Sequence, residues 1–471
     1  MATANARPTA AQIAQHQAAQ RQSGILGRYS VDEGGRYGIG SGENWSPPTV
    51  RSIDDTGLNV FYLSELILKV LYFSGFKSGY SVAESIKLPF TGVVDQVMEF
   101  LKRERLVEVR GSGGFGEGAH QYVITGAGIE KAREALARSQ YAGPAPVPLM
   151  FYVRSVLEQH RRTLVTQEMM TSALSHLVID QDVLEKIGPA ANSGKSIFLY
   201  GPPGNGKTTI SESVGRVVLG SSYYVPYAID IDGQIVRIYD SINHELLEGD
   251  DYRGTGSVAN RPDPRWLKIR RPVVMVGGEL TLETLDLVYD PVNHYYEAPF
   301  QMKANGGMFL IDDFGRQQVR PADLLNRWIV PLEKRMDFLT LANGRKIEIP
   351  FDVMVVFSTN IDPAALVDEA FLRRIRHKIE ITDPSFEEYR EIFRRQAKSQ
   401  GLPYNDQALA YLLQEWYIKA NRPLRGSHPR DRIDQMKDIA GYLEIPFEMN
   451  RDLLNRAAAS YFVELYDQPT S

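Results

Sequence analysis

The chain has no cysteine in its 471 residues, which excludes disulfides, thiolate metal centres and cysteine nucleophiles together. That absence fits a reducing compartment, and a cytoplasmic location is the expectation. No apolar run is long enough to span a bilayer. Charge of one sign is also missing as an excess: 53 Lys and Arg stand against 58 Asp and Glu, a formal net charge of -5. No whole-molecule field therefore draws the chain to nucleic acid or to an anionic membrane, and any such binding has to be local. Met1 to Gly24 lack the apolar centre of a secretory signal. Arg7 and Arg21, without neighbouring acids, have the charge of a transit peptide, but the Ala and Gln content reads as a disordered tail.

What is present is ordinary for globular protein, 43% hydrophobic and 24% charged residues, in a chain too long for one core, so two or three domains are expected. Residues 1–55 are rich in Gly, Pro, Ser and Asn and read as a disordered or extended tail. In 56–140, Val60, Leu63, Leu66, Ile67, Val70 and Leu71 recur at helical spacing, followed by helices over Ser81–Ile86 and Thr91–Arg103. The period then changes to two, with Val107 and Val109 alternating with Glu108 and Arg110. Tyr122, Val123 and Ile124 give a second strand, and Gly126–Ala137 a closing helix. This series resembles a winged-helix domain whose glycine-rich loop is the wing. A Pro-rich linker lies in 141–158, at Tyr141–Pro148. In 159–383, apolar runs at Ile197–Tyr200, Tyr223–Ile229, Val273–Val276, Met308–Ile311 and Val353–Phe357 predict a parallel α/β sheet. In 384–471, patterns at Phe386–Gln396, Ala408–Lys419, Arg430–Tyr442 and Leu453–Val463 predict an all-helical lid.

Gly201, Pro202, Pro203, Gly204, Asn205, Gly206, Lys207 and Thr208 match the P-loop pattern, between the strand ending at Tyr200 and a helix running through Thr209 to Val217. Such glycines let backbone N–H groups turn around a phosphate chain, and the helix N-terminus adds its dipole. Lys207 is placed to reach the β and γ oxygens of ATP, and Thr208 to ligate Mg²⁺. Met308–Ile311 delivers Asp312 and Asp313 to a strand tip in the manner of Walker B. Asp312 is the expected Mg²⁺ partner, and Asp313 stands where a base or water-orienting group is needed. Val353–Phe357 leads to Ser358, Thr359 and Asn360, whose amide would stand beside the γ-phosphate. Arg373 and Arg374 end a helical turn, and Arg430 opens a lid helix.

The order of these parts resembles the AAA+ ATPases. The resemblance implies sensor 1 at Asn360, an arginine finger at Arg374 or Arg373, sensor 2 at Arg430, and a homo-oligomer with a hexameric ring favoured. Lys303–Gly307 before Walker B and Leu341–Ile349 before sensor 1 look like the branch holding MoxR-type ATPases, in which a hairpin precedes sensor 1 and an insertion interrupts the second helix. The stretch from Asp230 to Phe300 has room for such an insertion. One departure stands out: AAA+ proteins usually carry Glu where this chain has Asp313, one methylene shorter, so slow turnover is an open reading.

Gly111–Gly116 satisfies G-x-G-x-x-G and Asp313-Phe314-Gly315 mimics a kinase signature, but the first opens no helix and the second follows a strand already explained. An echo, Tyr239–His244 and Tyr289–His294, reads as two Asp/Asn-capped turns ahead of a metal or substrate loop. Tyr295 and Tyr296 are candidates for pore-facing aromatics or for packing. Asp95 and Glu99 among Lys102 and Arg103 on the presumptive recognition helix argue for a protein substrate or adaptor as partner ahead of DNA.

Overall fold

A computed structural model describes residues 45–160, 164–220, 222–247, 261–366 and 372–462. In the N-terminal region Asn59 caps the helix Val60–Ser74 by accepting from the Tyr62 amide. That helix buries Leu63, Leu66, Ile67 and Leu71 against Val97, Met98 and Leu101 of Asp95–Arg103. Ahead of the second helix the chain turns through Gly92 at φ +87, where a Cβ would stand 2.2 Å from the Arg51 carbonyl, so only glycine fits. Val107–Ser112 and His120–Ile124 form the expected hairpin. A short strand, Phe76–Ser78, joins its free edge to make a three-stranded sheet.

Residues 45–55, expected as part of the tail, are instead packed. Trp45 sits edge-on to Tyr224 and Trp266, and its indole N–H donates to Glu158 at 2.6 Å. Ser52 and Asp55 form a capping box on the helix Ile53–Thr56. Weighing Gly and Pro content hid that Ser-x-x-Asp signal.

The expected linker does not run free either. Val147–Pro148 pairs with Ala228–Ile231 as the edge of a second sheet, and Leu149–Glu158 is helical. Arg265, fully buried, takes both oxygens of Asp263 and donates to the carbonyls of Thr56 and Pro146. Ala228 and Ile235 belong to the same apolar cluster as Leu63 and Ile67, so the N-terminal core continues into that sheet. Buried Lys69 donates to the Ser139 carbonyl, and burial draws its ammonium down to about 8.

The central sheet has five parallel strands in the order Val273–Val276, Met308–Ile311, Met354–Thr359, Ile197–Tyr200 and His377–Glu380. Its middle strands are buried on both faces, which is why they read as unbroken apolar runs. Tyr223–Ile229 is not a member. Ser222–Pro226 pairs antiparallel with Trp266–Arg270, and Ala228–Ile231 enters the second sheet beside Gln234–Arg237, Tyr295–Glu297 and Val288–Asp290. An aromatic-rich apolar run of that length fits an antiparallel pair as readily as a buried parallel strand. The fifth member, His377–Glu380, was missed because it is an edge strand burying only Ile379.

Met336–Thr340 and Lys346–Pro350 form a hairpin just before the strand Met354–Thr359. Its Leu339, Ile347 and Ile349 pack on Ile229, Val236 and Tyr296 of the second sheet. After Pro384 the chain is helical, opened by a Ser385/Glu388 capping box. Phe386–Ser399, Asp406–Leu412, His428–Leu443 and Arg451–Tyr461 enclose a separate core of Tyr389, Phe393, Leu409, Ile433, Met436 and Leu453. The fold is α/β. The glycine loop, Asp312 and Asn360 follow three adjacent strands of one parallel sheet, and a helical unit comes after it.

Candidate nucleotide site

Three strand ends converge at one edge of the sheet. Ile197–Tyr200 leads into the glycine loop, where Gly201 has φ +133 and a Cβ would meet the Ile381 carbonyl at 2.2 Å. Gly206 precedes the helix Lys207–Val218, whose first residue is the P-loop lysine. Lys207 is only 6% exposed, not the free loop charge that the motif alone suggests. Its ammonium donates to the carbonyls of Gly201 at 3.0 Å and Pro202 at 2.8 Å, and to Asn360 Oδ1 at 2.6 Å. Burial lowers its proton affinity, while Asp312 and Asp313 hold the charge in place.

Thr208 donates its hydroxyl to Asp312 Oδ2 at 2.7 Å across a sequence separation of 104. Asp312 itself is anchored by its amide, which donates to the Val276 carbonyl at 2.8 Å. The chain then bends sharply: exposed Asp313 has φ +48, and Phe314 turns back into the core with its amide on the Ser358 carbonyl at 2.7 Å. That bend aims the Asp313 carboxylate at Asn360, whose Nδ2 donates to Oδ1 at 2.9 Å. Lys207, Thr208, Asp312, Asp313 and Asn360 thus form one polar cluster.

Beside this cluster lies a cleft of about 390 Å³ between the sheet and the helical unit, within the range of small-ligand sites. Gly204, Asn205, Gly206 and Thr209 form its floor, and Arg430 stands at its helical wall. Leu177, Val178, Ile179, Ile210 and Ile392 give it an apolar side fit for a base, with Gln396 among them. The motifs did not point to these residues. The available signal was an apolar Leu-Val-Ile run just ahead of the Asp180 cap, on no periodic element. A second cavity, at the opposite end of the sheet beside His160 and Asp352, holds only about 50 Å³ and is too small for a nucleotide.

Arg374 lies away from this cluster and donates to Glu333 at 2.6 Å, at the end of the helix Pro321–Lys334. Arg373 is its exposed neighbour. Arg430 is exposed and reaches only its neighbour Asp431, at 3.3 Å. Glu279, which follows the strand Val273–Val276, accepts from the Gly277 amide in its own loop at 2.9 Å.

The echo resolves into two alike turns. Asp240 accepts from the Ile242 amide and Asn243 Nδ2, and Asp290 from the Val292 amide and Asn293 Nδ2. Each carboxylate is engaged by its own turn, Asp240 also accepting from Lys303 at 2.8 Å, and no cluster of three or more His, Cys, Asp or Glu residues suited to a metal occurs among the described residues. Tyr296 is buried, and Tyr295 packs edge-on against Tyr141, so packing accounts for both.

Thr208 and Asp312 offer a hydroxyl and a carboxylate oxygen to one point, the hard oxygen donors that Mg²⁺ takes alongside phosphate oxygens. The pair fits that ion. No helix among the described residues is long and apolar enough to cross a membrane.

Residues 385–460 match a family described as a domain of unknown function (DUF8689). No curated protein matches the chain by sequence. Among solved structures it is similar to NtrX from Brucella abortus in complex with ADP, at 14% identity and TM-score 0.37, covering 70% of this chain and 65% of that one. The ATP complex of NtrX gives 14% and 0.36, covering 71% and 64%. The Holliday junction branch migration motor RuvB from Thermotoga maritima gives 14% and 0.32, covering 59% and 68%. The chain thus spans slightly under two thirds of the NtrX chains, and likeness at this level says nothing of substrate or partner.

Proposed function

We propose that the chain binds ATP with Mg²⁺ in the cleft and hydrolyses it, and that turnover drives the remodelling or assembly of a protein partner by a homo-oligomer, a hexameric ring being favoured. The observation that carries this reading is the single polar cluster in which Lys207, Thr208, Asp312, Asp313 and Asn360 converge beside a cleft of nucleotide size.

On this reading the backbone N–H groups of the glycine loop and the amino end of the helix at Lys207 receive the phosphate chain. Lys207 exchanges two carbonyl partners for phosphate oxygens, a stronger charge-assisted bond. Thr208 and Asp312 hold Mg²⁺, which supplies neutralisation of phosphate charge. Asp313, fixed by Asn360, orients the attacking water and accepts its proton as the bond to the γ-phosphorus forms and the bond to the ADP oxygen breaks. Arg430 faces the same cleft from the helical side. Arg374, or Arg373, serves the site of a neighbouring subunit.

Asp313→Asn is expected to leave ATP affinity within threefold of the parent and to reduce turnover by about a hundredfold or more, the size of a lost general-base contribution. The amide keeps the bond from Asn360 but accepts no proton. Phosphate release measured beside a fluorescent-nucleotide titration separates the two effects, and unchanged turnover sinks the role given to Asp313. Tight binding with negligible turnover in the parent chain itself would instead favour a nucleotide-gated scaffold, the reading that the short Asp313 side chain keeps in view.

The winged-helix reading of residues 56–140 invites a DNA partner, against which the local charges argue. On the helix Asp95–Arg103, Lys102 is held by Glu99 at 2.6 Å, and Asp95 sits at the amino end accepting from Gly92. Phosphate contact depends on cations that release counterions. The full chain is therefore expected to bind random and genomic duplexes no better than micromolar near physiological salt. Fluorescence anisotropy at several salt concentrations checks this; sequence-selective nanomolar binding would make the chain a DNA-associated ATPase or regulator.

A further inference from the structure

Among the described residues, the P-loop side chain of Asn205 reaches across to the helical unit. Its Nδ2 donates to the Thr382 carbonyl at 3.0 Å and to Asp383 Oδ1 at 2.8 Å, at the junction where the sheet gives way to the helices. Its Oδ1 accepts from the Gly426 amide at 2.9 Å, in the loop that leads to the helix His428–Leu443. Both donor positions of the amide and one lone pair are therefore spent on joining P-loop, junction and helical unit. Asp383 takes a second partner, the guanidinium of Arg425, from the same loop. Close packing leaves no slack at this seam, since a Cβ on Gly204 would stand 2.6 Å from Ser427 Oγ.

The walls of the cleft lie on both sides of this seam. Asn205, Gly206 and Ile210 belong to the P-loop side, Ile392 and Gln396 to the first helix of the helical unit, and Gly426 and Arg430 to the loop and helix after it. Asn205 is thus a tie between those walls, with a second one where Arg395 donates to the Ser175 and Leu177 carbonyls. We propose that Asn205, Asp383 and Arg425 form a latch that registers the helical unit on the P-loop, making them positioning residues for the nucleotide apart from the hydrolytic cluster.

The inference rests on the ATP-binding reading above. Its signature follows from population shift: when only a fraction of molecules holds the closed cleft, the apparent dissociation constant rises by the inverse of that fraction, while saturating nucleotide draws the population closed again. Loss of the latch therefore raises KM and leaves kcat. A purely structural lesion lowers the active fraction, and with it kcat, at unchanged KM.

The test uses the full chain with ATP and Mg²⁺. Asn205→Ala and Asp383→Asn are made separately; the second keeps size and an acceptor oxygen but drops the attraction to Arg425, so it reports even where the first folds poorly. The expected result is a KM and a fluorescent-ATP dissociation constant raised about tenfold by Asn205→Ala and about threefold by Asp383→Asn. In both, kcat stays within threefold of the parent, and Arg425→Lys, which keeps the ion pair, stays near the parent in KM. Unchanged KM in the two folded latch variants, or a loss confined to kcat, overturns the latch. A parent chain that binds no ATP at all overturns the site itself, which distinguishes the two failures.

Discussion

Lys207→Ala is expected to weaken ATP binding by about a hundredfold or more and to leave no measurable turnover, while thermal unfolding stays within a few degrees of the parent. Each hydrogen bond to a charged group contributes roughly 1.5–3 kcal/mol, and the lysine is placed to give a triphosphate more than one. The structural cost is small for a reason the motif does not disclose. Lys207 is buried, yet its partners are two loop carbonyls and the Asn360 amide. Gly201, Pro202 and Asn360 are all half-buried, so water replaces the ammonium and no acceptor is left stranded in the core. Nucleotide titration with the fluorescent analogue, run beside a circular-dichroism melt, tests both halves. Full affinity in a folded variant would remove the P-loop from the mechanism, and collapse of the fold would show that the ammonium is structural.

Arg374→Ala is expected to reduce turnover on the order of 10³-fold, the lower end of what arginine fingers contribute, with ATP affinity unchanged. Within its own chain Arg374 is engaged by Glu333 at 2.6 Å, on a helix end away from Lys207. An ion pair that is partly exposed is worth at most about 1 kcal/mol, so a neighbouring subunit's phosphates can compete for that guanidinium. Mixing Arg374→Ala with Lys207→Ala subunits then pairs one intact finger with one intact P-loop, and part of the activity should return. No recovery in assemblies shown to be mixed would argue against a finger acting in trans; recovery seen only with Arg373→Ala would move the role one residue back.

The sequence was most legible where chemistry and burial dictate residue type together. Met308–Ile311 and Met354–Thr359 lie buried on both faces, so their apolar runs mark strands, and Asp312 and Asn360 follow at their ends because a parallel sheet delivers its polar residues there. His377–Glu380 escaped notice because an edge strand needs only one buried side chain. The run at Tyr223 reads equally as a parallel or an antiparallel strand because apolar content does not encode the partner. Asp383 and Arg425 carry no motif: an acid before a proline and an arginine before a glycine become informative only once Asn205 is seen between them. The burial of Lys207 is not legible in the motif, which fixes the lysine's place in the chain while only the fold sets its surroundings.

The absence of a free tether between the N-terminal unit and the rest has a mechanical meaning. Arg265 ties Thr56 and Pro146 to the head of the strand Trp266–Arg270, Ala228 and Ile235 extend the N-terminal core into the second sheet, and the hairpin of Met336–Thr340 and Lys346–Pro350 leans on the far side of that sheet. A load on the N-terminal unit is therefore not absorbed by slack chain. It passes as strain through a stiff, close-packed slab towards the hairpin, whose second strand ends at Pro350, four residues short of the strand that carries Asn360. Stiffness runs both ways, so a displacement starting at the Asn360 end of that strand would return as a tilt of the whole N-terminal unit, giving the chain a rigid arm where a flexible leash was expected.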